Sequence, residues 1–418
     1  MDKVKSFFKH IFKRIFVLLR WILFSALAGV IIGLVCVAFY ELMHMAIRFR
    51  EGHDVIILGL PFAGLAIVWF YRLLNDGNDR GTNLVIESIN SGEDVPLKMT
   101  PLIFVSTIVT HLFGGSAGRE GAALQIGGSL ASFLGGILRL DEGDRKIFIM
   151  CGMAAAFSAL FGTPIAAAIF SIEVISIGTM NYAALVPCAI ASLTSDYIAD
   201  RFQLAEETFH IFSISEFTVT GAGNALLLAC LCAGISVLFC ILLHRCEALF
   251  RLIKNPYLRI FIGGCIIVAL TYLLDTRDYN GVNMNVIWKA VRGEVKPEAF
   301  ALKMLFTAIT LACGYKGGEI LPSLFIGATF GSFAGYILGL SPSLCSAIGM
   351  VSVFCSVTNC PVTSILLSVE MFGTEGLPYY FISIAISYML SGYYSLYKTQ
   401  KIVYSKYSNE VVDRGTHH

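Results

Sequence analysis

Four apolar runs constrain this chain more than any other feature: Trp21 to Leu42, Val55 to Leu73, Gly223 to Leu243 and Leu377 to Leu396. Each is roughly 20 residues long, the length at which a helix crosses the ~30 Å hydrocarbon core of a bilayer. Backbone groups inside lipid must find their partners within the protein, so such runs fold as membrane helices. The expected fold class is all-α integral membrane. Composition agrees: 56% of residues are hydrophobic and 14% charged, where a soluble surface needs about a quarter charged. Thirty-nine glycines suit close helix contacts and interrupted membrane helices.

The net charge of +1 implies neither nucleic acid nor an acidic partner, but the basic residues are unevenly placed. Lys3, Lys5, Lys9, Lys13, Arg14 and Arg20 precede the first run, against Asp2 alone. The positive-inside bias puts this end in the cytoplasm, and Lys398, Lys401 and Lys406 after the last run put the C-terminal end there too. Residues 1–20 interleave Phe7, Phe8, Ile11, Phe12, Ile15 and Phe16 with lysines, the pattern of an amphipathic helix lying on a membrane surface. The following apolar stretch is too long, and lacks the small-residue site, for a cleavable signal peptide. Twelve cysteines lie mostly inside apolar spans without a CxxC, so they are expected as buried small residues. No metal or cofactor is expected.

The chain also repeats itself. Ile126 to Leu140 aligns without gaps on Ile326 to Leu340, with eight of fifteen positions identical. Gly152-Met153, Phe157, Pro164, Ser171 and Glu173 recur at the same spacing as Gly349-Met350, Phe354, Pro361, Ser368 and Glu370. Generic hydrophobicity accounts for shared Leu and Ile, not for Pro, Ser and Glu in register. This divides the sequence into a basic segment (1–20), a first membrane repeat (21–200), a linker (201–222), a second repeat (223–400) and a cytoplasmic tail (401–418).

Such repeats suit transporters, which place the substrate at the interface of the halves between discontinuous helices. Gly114-Gly115-Ser116-Ala117-Gly118 and Gly314-Tyr315-Lys316-Gly317-Gly318 interrupt apolar runs at matching places, as do Gly162-Thr163-Pro164 and Asn359-Cys360-Pro361. Irregular backbone at that depth lines a cavity or is buried in protein. Each break also opens a new helix N-terminus with free N–H groups and a positive dipole end. Two such ends facing one point bind an anion without a basic side chain.

Glu120 opens the first broken helix and Glu319 the second. An acid inside a membrane is a functional candidate. Seated on an anion-binding N-terminus, it competes with the anion until a proton neutralises it, which links the two movements. The plainer alternative is a carboxylate that only complements its helix dipole. Glu173 and Glu370 lie a full helix further on and read as structural or surface residues. His111 reads as a packed or hydrogen-bonded residue within its span.

Gly118-Arg119-Glu120-Gly121, followed by Gln125-Ile126-Gly127-Gly128, resembles the Gly-Lys/Arg-Glu-Gly-Pro and Gln-Ile-Gly signatures of CLC chloride channels and transporters. The resemblance runs on through Gly152-Met153-Ala154-Ala155-Ala156-Phe157, Pro164, Glu173 and Gly317-Gly318-Glu319 to Tyr404, about residues 20–405. It implies a CLC-type inverted-repeat helical bundle, a homodimer with one pore per subunit, and a halide anion and a proton as the transported partners. It makes Glu120 the external gating glutamate and Tyr404 the tyrosine whose hydroxyl faces the central anion. With Tyr404, the implied anion site comprises Thr82, Asn83, Gly118, Arg119, Gly121, Ile320 and Leu321. No room is left for the nucleotide-sensing domains of larger members.

Two stretches depart from the chloride-type pattern. Gly81-Thr82-Asn83-Leu84-Val85 stands where that type has Gly-Ser-Gly-Ile-Pro, and Gly317-Gly318-Glu319-Ile320-Leu321-Pro322 replaces Gly-Gly-Ile-Phe-x-Pro. Both resemble the fluoride-exporting branch, although Thr82 keeps a hydroxyl and Leu321 stands where that branch has threonine. Fluoride export is the expectation, with chloride/proton antiport and a passive chloride channel as alternatives on the same fold. The internal proton-transfer glutamate of chloride antiporters has no clear counterpart between Asp196 and Glu207, and Glu319 could replace it. An intramembrane enzyme would need paired His and Asp or a Gly-x-Ser-x-Gly elbow, and the sequence offers neither.

Overall fold

Two runs of eight helices follow each other in a computed structural model, which describes residues 2–74, 80–204, 208–214 and 216–416. The first comprises α1 (Asp2–Glu51), α2 (Leu60–Leu73), α3 (Thr82–Ser91), α4 (Met99–Leu112), α5 (Glu120–Ile137), α6 (Glu142–Phe161), α7 (Pro164–Glu173) and α8 (Leu185–Arg201). The second comprises α9 (Val219–Arg251), α10 (Pro256–Leu273), α11 (Met284–Val291), α12 (Ala299–Cys313), α13 (Ile320–Leu338), α14 (Pro342–Thr358), α15 (Pro361–Phe372) and α16 (Leu377–Leu390). Six helical segments among the described residues are long and apolar enough to cross a membrane. Large apolar side chains such as Leu23, Phe62, Trp69 and Leu273 point outward, as a lipid-facing surface requires.

No Gly or Pro occurs before Gly29, so nothing stops the first helix. α1 runs unbroken from Asp2 to Glu51, and the basic segment expected as a surface helix continues on the axis of the first span. The run from Leu377 is shorter than its hydropathy suggests, because the helix ends at Leu390 and Gly392 takes φ +59°.

The expected breaks are all present. Gly162 (φ +66°) and Asn359 (φ +60°) close α6 and α14 in the left-handed conformation, and Pro164 and Pro361 open the next helices, where a missing N–H costs nothing. The repeated glutamates then cross over. Glu173, at the end of α7, accepts from the N–H groups of Val362 (3.0 Å) and Thr363 (2.8 Å) at the start of α15. Glu370 accepts from Ile165 (2.9 Å) and Ala166 (2.8 Å) at the start of α7. Each half thus caps the other's helix, a structural role for both acids.

Glycine allows the central crossings. A Cβ on Gly127 would collide with the carbonyl oxygen of Gly152, and one on Gly349 with that of Gly327, so α5 on α6 and α13 on α14 touch backbone to backbone. β1 (Ser176–Ile177) pairs in parallel with β2 (Lys401–Tyr404), which pairs antiparallel with β3 (Val411–Gly415). This small sheet ties the tail to the end of α7.

Candidate anion and proton site

The two Gly-rich breaks meet. Gly118 N–H donates to the carbonyl of Gly318 (2.7 Å) and Gly318 N–H to that of Gly118 (2.8 Å), an antiparallel bridge between the halves. The preceding helices complete the junction symmetrically. Thr310 on α12 accepts from Ser116 N–H (3.1 Å), and Thr110 on α4 accepts from Lys316 N–H (3.2 Å). His111 supports the first break by bonding the carbonyl oxygens of Thr107 (2.8 Å) and Ala117 (3.0 Å), the packed role expected of it. α5 and α13 therefore begin within a few residues of one bridged point, and their first-turn N–H groups lack intrahelical partners.

Both candidate acids are at this point. Glu120 is fully buried. One carboxylate oxygen accepts from Arg119 N–H (3.0 Å), and the other lies 3.4 Å from Arg119 Nε. The carboxylate is folded back over its own helix start. Glu319 occupies the equivalent place on α13 as its N-cap. The residue is partly exposed, but its Oε2 is buried and has no hydrogen-bond partner. That oxygen lies 3.4 Å from where a side chain on Gly121 would begin, and Thr82 Oγ1 lies at the same distance. Gly121 must be glycine here, since Gly318 Cα closes on the same position at 2.8 Å.

Thr82 is buried at the start of α3. Its hydroxyl donates to Gly121 O (3.2 Å) and accepts from Gln125 Nε2 (3.3 Å). Gln125 also donates to Gly121 O (3.1 Å), so it holds Thr82 against the break. Asn83 turns instead to the segment after α16, where Thr399 Oγ1 donates to its backbone carbonyl (3.0 Å). Ile320 and Leu321 are buried in the first turn of α13, available through their backbone N–H groups rather than their side chains.

The Arg119 guanidinium packs over Tyr40 (4.8 Å) and reaches Leu160 O (3.4 Å), while its backbone N–H donates to Glu120 (3.0 Å). One expectation needs correction. Tyr404 does not face the junction: it lies on β2 and is 44% exposed. The strand that carries it runs along the surface sheet, which takes its hydroxyl away. Tyr397 is the tyrosine at the centre. It is 1% exposed, its hydroxyl has no hydrogen-bond partner, and it lies within electrostatic range of both Glu319 and Glu120. Six tyrosines lie between residues 388 and 407, and no local signal separates this one from the rest. Between residues 196 and 207, Asp196 and Asp200 sit on α8, while Glu206 and Glu207 lie outside the described residues.

The arrangement offers backbone donors from two helix starts, two hydroxyls and two acids around one buried point. The chain is 34% identical over 401 residues to a chloride/fluoride channel protein of Pseudomonas syringae pv. tomato, covering 93% of this chain and 88% of the relative. It is 27% identical to an H(+)/Cl(-) exchange transporter of Vibrio cholerae, covering 83% and 81%. Among solved structures it superposes on a CLC-type fluoride/proton antiporter with TM-score 0.89 and 34% identity, covering 93% of this chain and 99% of that one. A slow cyanobacterial Cl-/H+ antiporter shares the fold, with TM-score 0.76 and 17% identity over 89% of this chain and 94% of that one. Residues 63–392 match the voltage gated chloride channel family, and the chain belongs to that family, with the CLC inverted-repeat membrane fold.

Proposed function

We propose that this chain is a fluoride/proton antiporter of the plasma membrane, a homodimer with both termini in the cytoplasm. The observation that carries this reading is the pairing of Glu120 and Glu319 on two helix starts that meet at the Gly118–Gly318 bridge. Helix N-termini attract an anion, and a carboxylate at each end competes with it. Proton uptake by a carboxylate removes that competition and vacates donors for the anion. An unpaired charge in so dry a place is costly, so each acid favours states in which it holds a proton or a partner. Alternation between these states couples the two fluxes.

Fluoride is small and holds its water tightly, so a site must replace that hydration with strong donors. The N–H groups of Gly121, Ile320 and Leu321, with the hydroxyl of Tyr397, are the donors at hand, and Thr82 joins them when its hydroxyl turns from Gly121 O. Similarity to the fluoride/proton antiporter and to the chloride/fluoride channel protein supports the same anion. The test is halide efflux from proteoliposomes loaded with fluoride or with chloride at equal concentration. Faster fluoride efflux is expected, and chloride moving at least as fast rejects the selectivity.

Tyr397→Phe is expected to weaken fluoride binding by about 0.5–1.5 kcal/mol, the net value of one hydrogen bond, and Tyr404→Phe to leave it unchanged. Titration calorimetry of both variants in detergent checks this. Equal affinities for Tyr397→Phe and wild type would remove the hydroxyl from the anion site.

A further inference from the structure

A second constellation lies apart from the bridged helix starts. A cavity of about 500 Å³ opens beside the last turns of α9, and its lining includes His244, Arg245, Glu247, Arg251, Tyr394 and Lys398. Glu247 is the acid among these lining residues. Its Oε1 accepts from Arg251 Nη2 (2.6 Å), and its Oε2 pairs with Lys398 Nζ. Its side chain keeps 26% exposure and that of Lys398 31%, so water and ions reach the pair.

The cavity is joined to the site by the chain itself. Lys398 directly follows Tyr397, which lies within electrostatic range of Glu319 and Glu120, and Thr399 bonds Asn83 on α3. Glu247 also lies within electrostatic range of Glu319. Three basic side chains and one carboxylate line the cavity, and Lys398, Arg251 and His244 are in range of that carboxylate. A cleft lined by an excess of one charge focuses counter-ions and raises their local concentration.

Taking the halide transport proposed above as given, we propose that this cavity is the vestibule that collects the anion on the side of the C-terminal tail, with Glu247 as a tethered competitor that the anion displaces from Lys398 and Arg251. The ammonium and guanidinium groups attract the anion, and Glu247 swings off them as it arrives. The anion then passes along the Tyr397–Thr399 segment to the helix starts. Because Glu247 occupies the basic groups in the resting state, it weakens anion capture and sharpens the release of anions entering from the other side. Proton coupling stays with Glu120 and Glu319.

The test is the initial rate of fluoride efflux from proteoliposomes against the fluoride loaded, at low and high concentrations of an impermeant salt. Lys398→Met is expected to raise the half-saturating fluoride concentration roughly three- to tenfold, within the range for electrostatic focusing. Its maximal rate should stay within roughly twofold of wild type, and the proton-to-fluoride ratio should not change. Lys398→Arg restores the wild-type value. Glu247→Gln lowers the half-saturating concentration, because the neutral amide no longer competes. All these differences shrink at ~1 M salt, where the Debye length is about 3 Å. Should Lys398→Met fail to reconstitute, Arg251→Gln makes the same test from the other side of Glu247. Half-saturation unchanged in both the basic and the acidic variants, or changed equally at low and high salt, overturns the vestibule. A change in proton-to-fluoride ratio in Glu247→Gln overturns it too, by making Glu247 a proton carrier. Wild-type protein that moves no halide at all refutes the underlying transport reading instead.

Discussion

Glu120→Gln is expected to abolish fluoride-driven proton movement while anion flux continues. The carboxylate sits over the start of α5, folded onto Arg119 N–H at 3.0 Å and beside Arg119 Nε at 3.4 Å. Glutamine has nearly the same shape and can still accept the backbone hydrogen bond, so the helix start keeps its form. It carries no charge to compete with the anion and takes up no proton near neutral pH. The expected loss is to background, at least roughly tenfold, which needs only about 1.4 kcal/mol of lost discrimination. The measurement records internal pH in liposomes while a fluoride gradient runs down. Proton movement at the wild-type rate would remove Glu120 from the coupling mechanism.

The second large effect belongs to Glu319. Its Oε2 is buried without a hydrogen-bond partner, 3.4 Å from the would-be Cβ of Gly121. A carboxylate that only stabilised its helix dipole would turn both oxygens toward its own N–H groups. Glu319 instead leaves one oxygen toward the opposite helix start, beside Thr82. Glu319→Gln keeps the hydrogen-bonding shape and loses the exchangeable proton. Coupled proton flux is expected to fall at least roughly tenfold, again a matter of ~1.4 kcal/mol, with fluoride losing more of its rate than chloride. Simultaneous fluoride, chloride and pH recordings on the variant test this. A fully coupled Glu319→Gln protein would leave Glu319 with a dipole role alone.

Much of this was readable before any coordinates, for identifiable reasons. The duplication repeats Gly, Pro and Glu at fixed spacing, and those residue types answer to backbone geometry and charge rather than to bulk hydrophobicity. That is why the breaks before Glu120 and Glu319 and the structural place of Glu173 and Glu370 could be anticipated. What stayed hidden depends on tertiary path. Which tyrosine reaches the centre is decided by where the chain turns after Leu390 and by the sheet that holds Tyr404 on the surface. Thr416, near the other end of the hairpin, donates to the carbonyl of Tyr397 (2.9 Å), a contact no local pattern announces. Gln125 was visible as part of a motif, but its grip on Thr82 across 43 residues was not. The pair between Glu247 and Lys398 joins positions 151 residues apart and has no repeat counterpart to flag it.

The relatives of this chain include a protein named as a channel and one named as an antiporter, and an exchanger is distinguished by one kind of work: moving its anion uphill. Proteoliposomes with equal fluoride inside and outside, their membrane potential clamped, are given a step in external pH. The expected result is net fluoride movement against its developing gradient, driven by protons in the opposite direction and absent in Glu120→Gln. Fluoride that stays at equilibrium under the pH step, while still running freely down its own gradient, would contradict antiport and leave a channel.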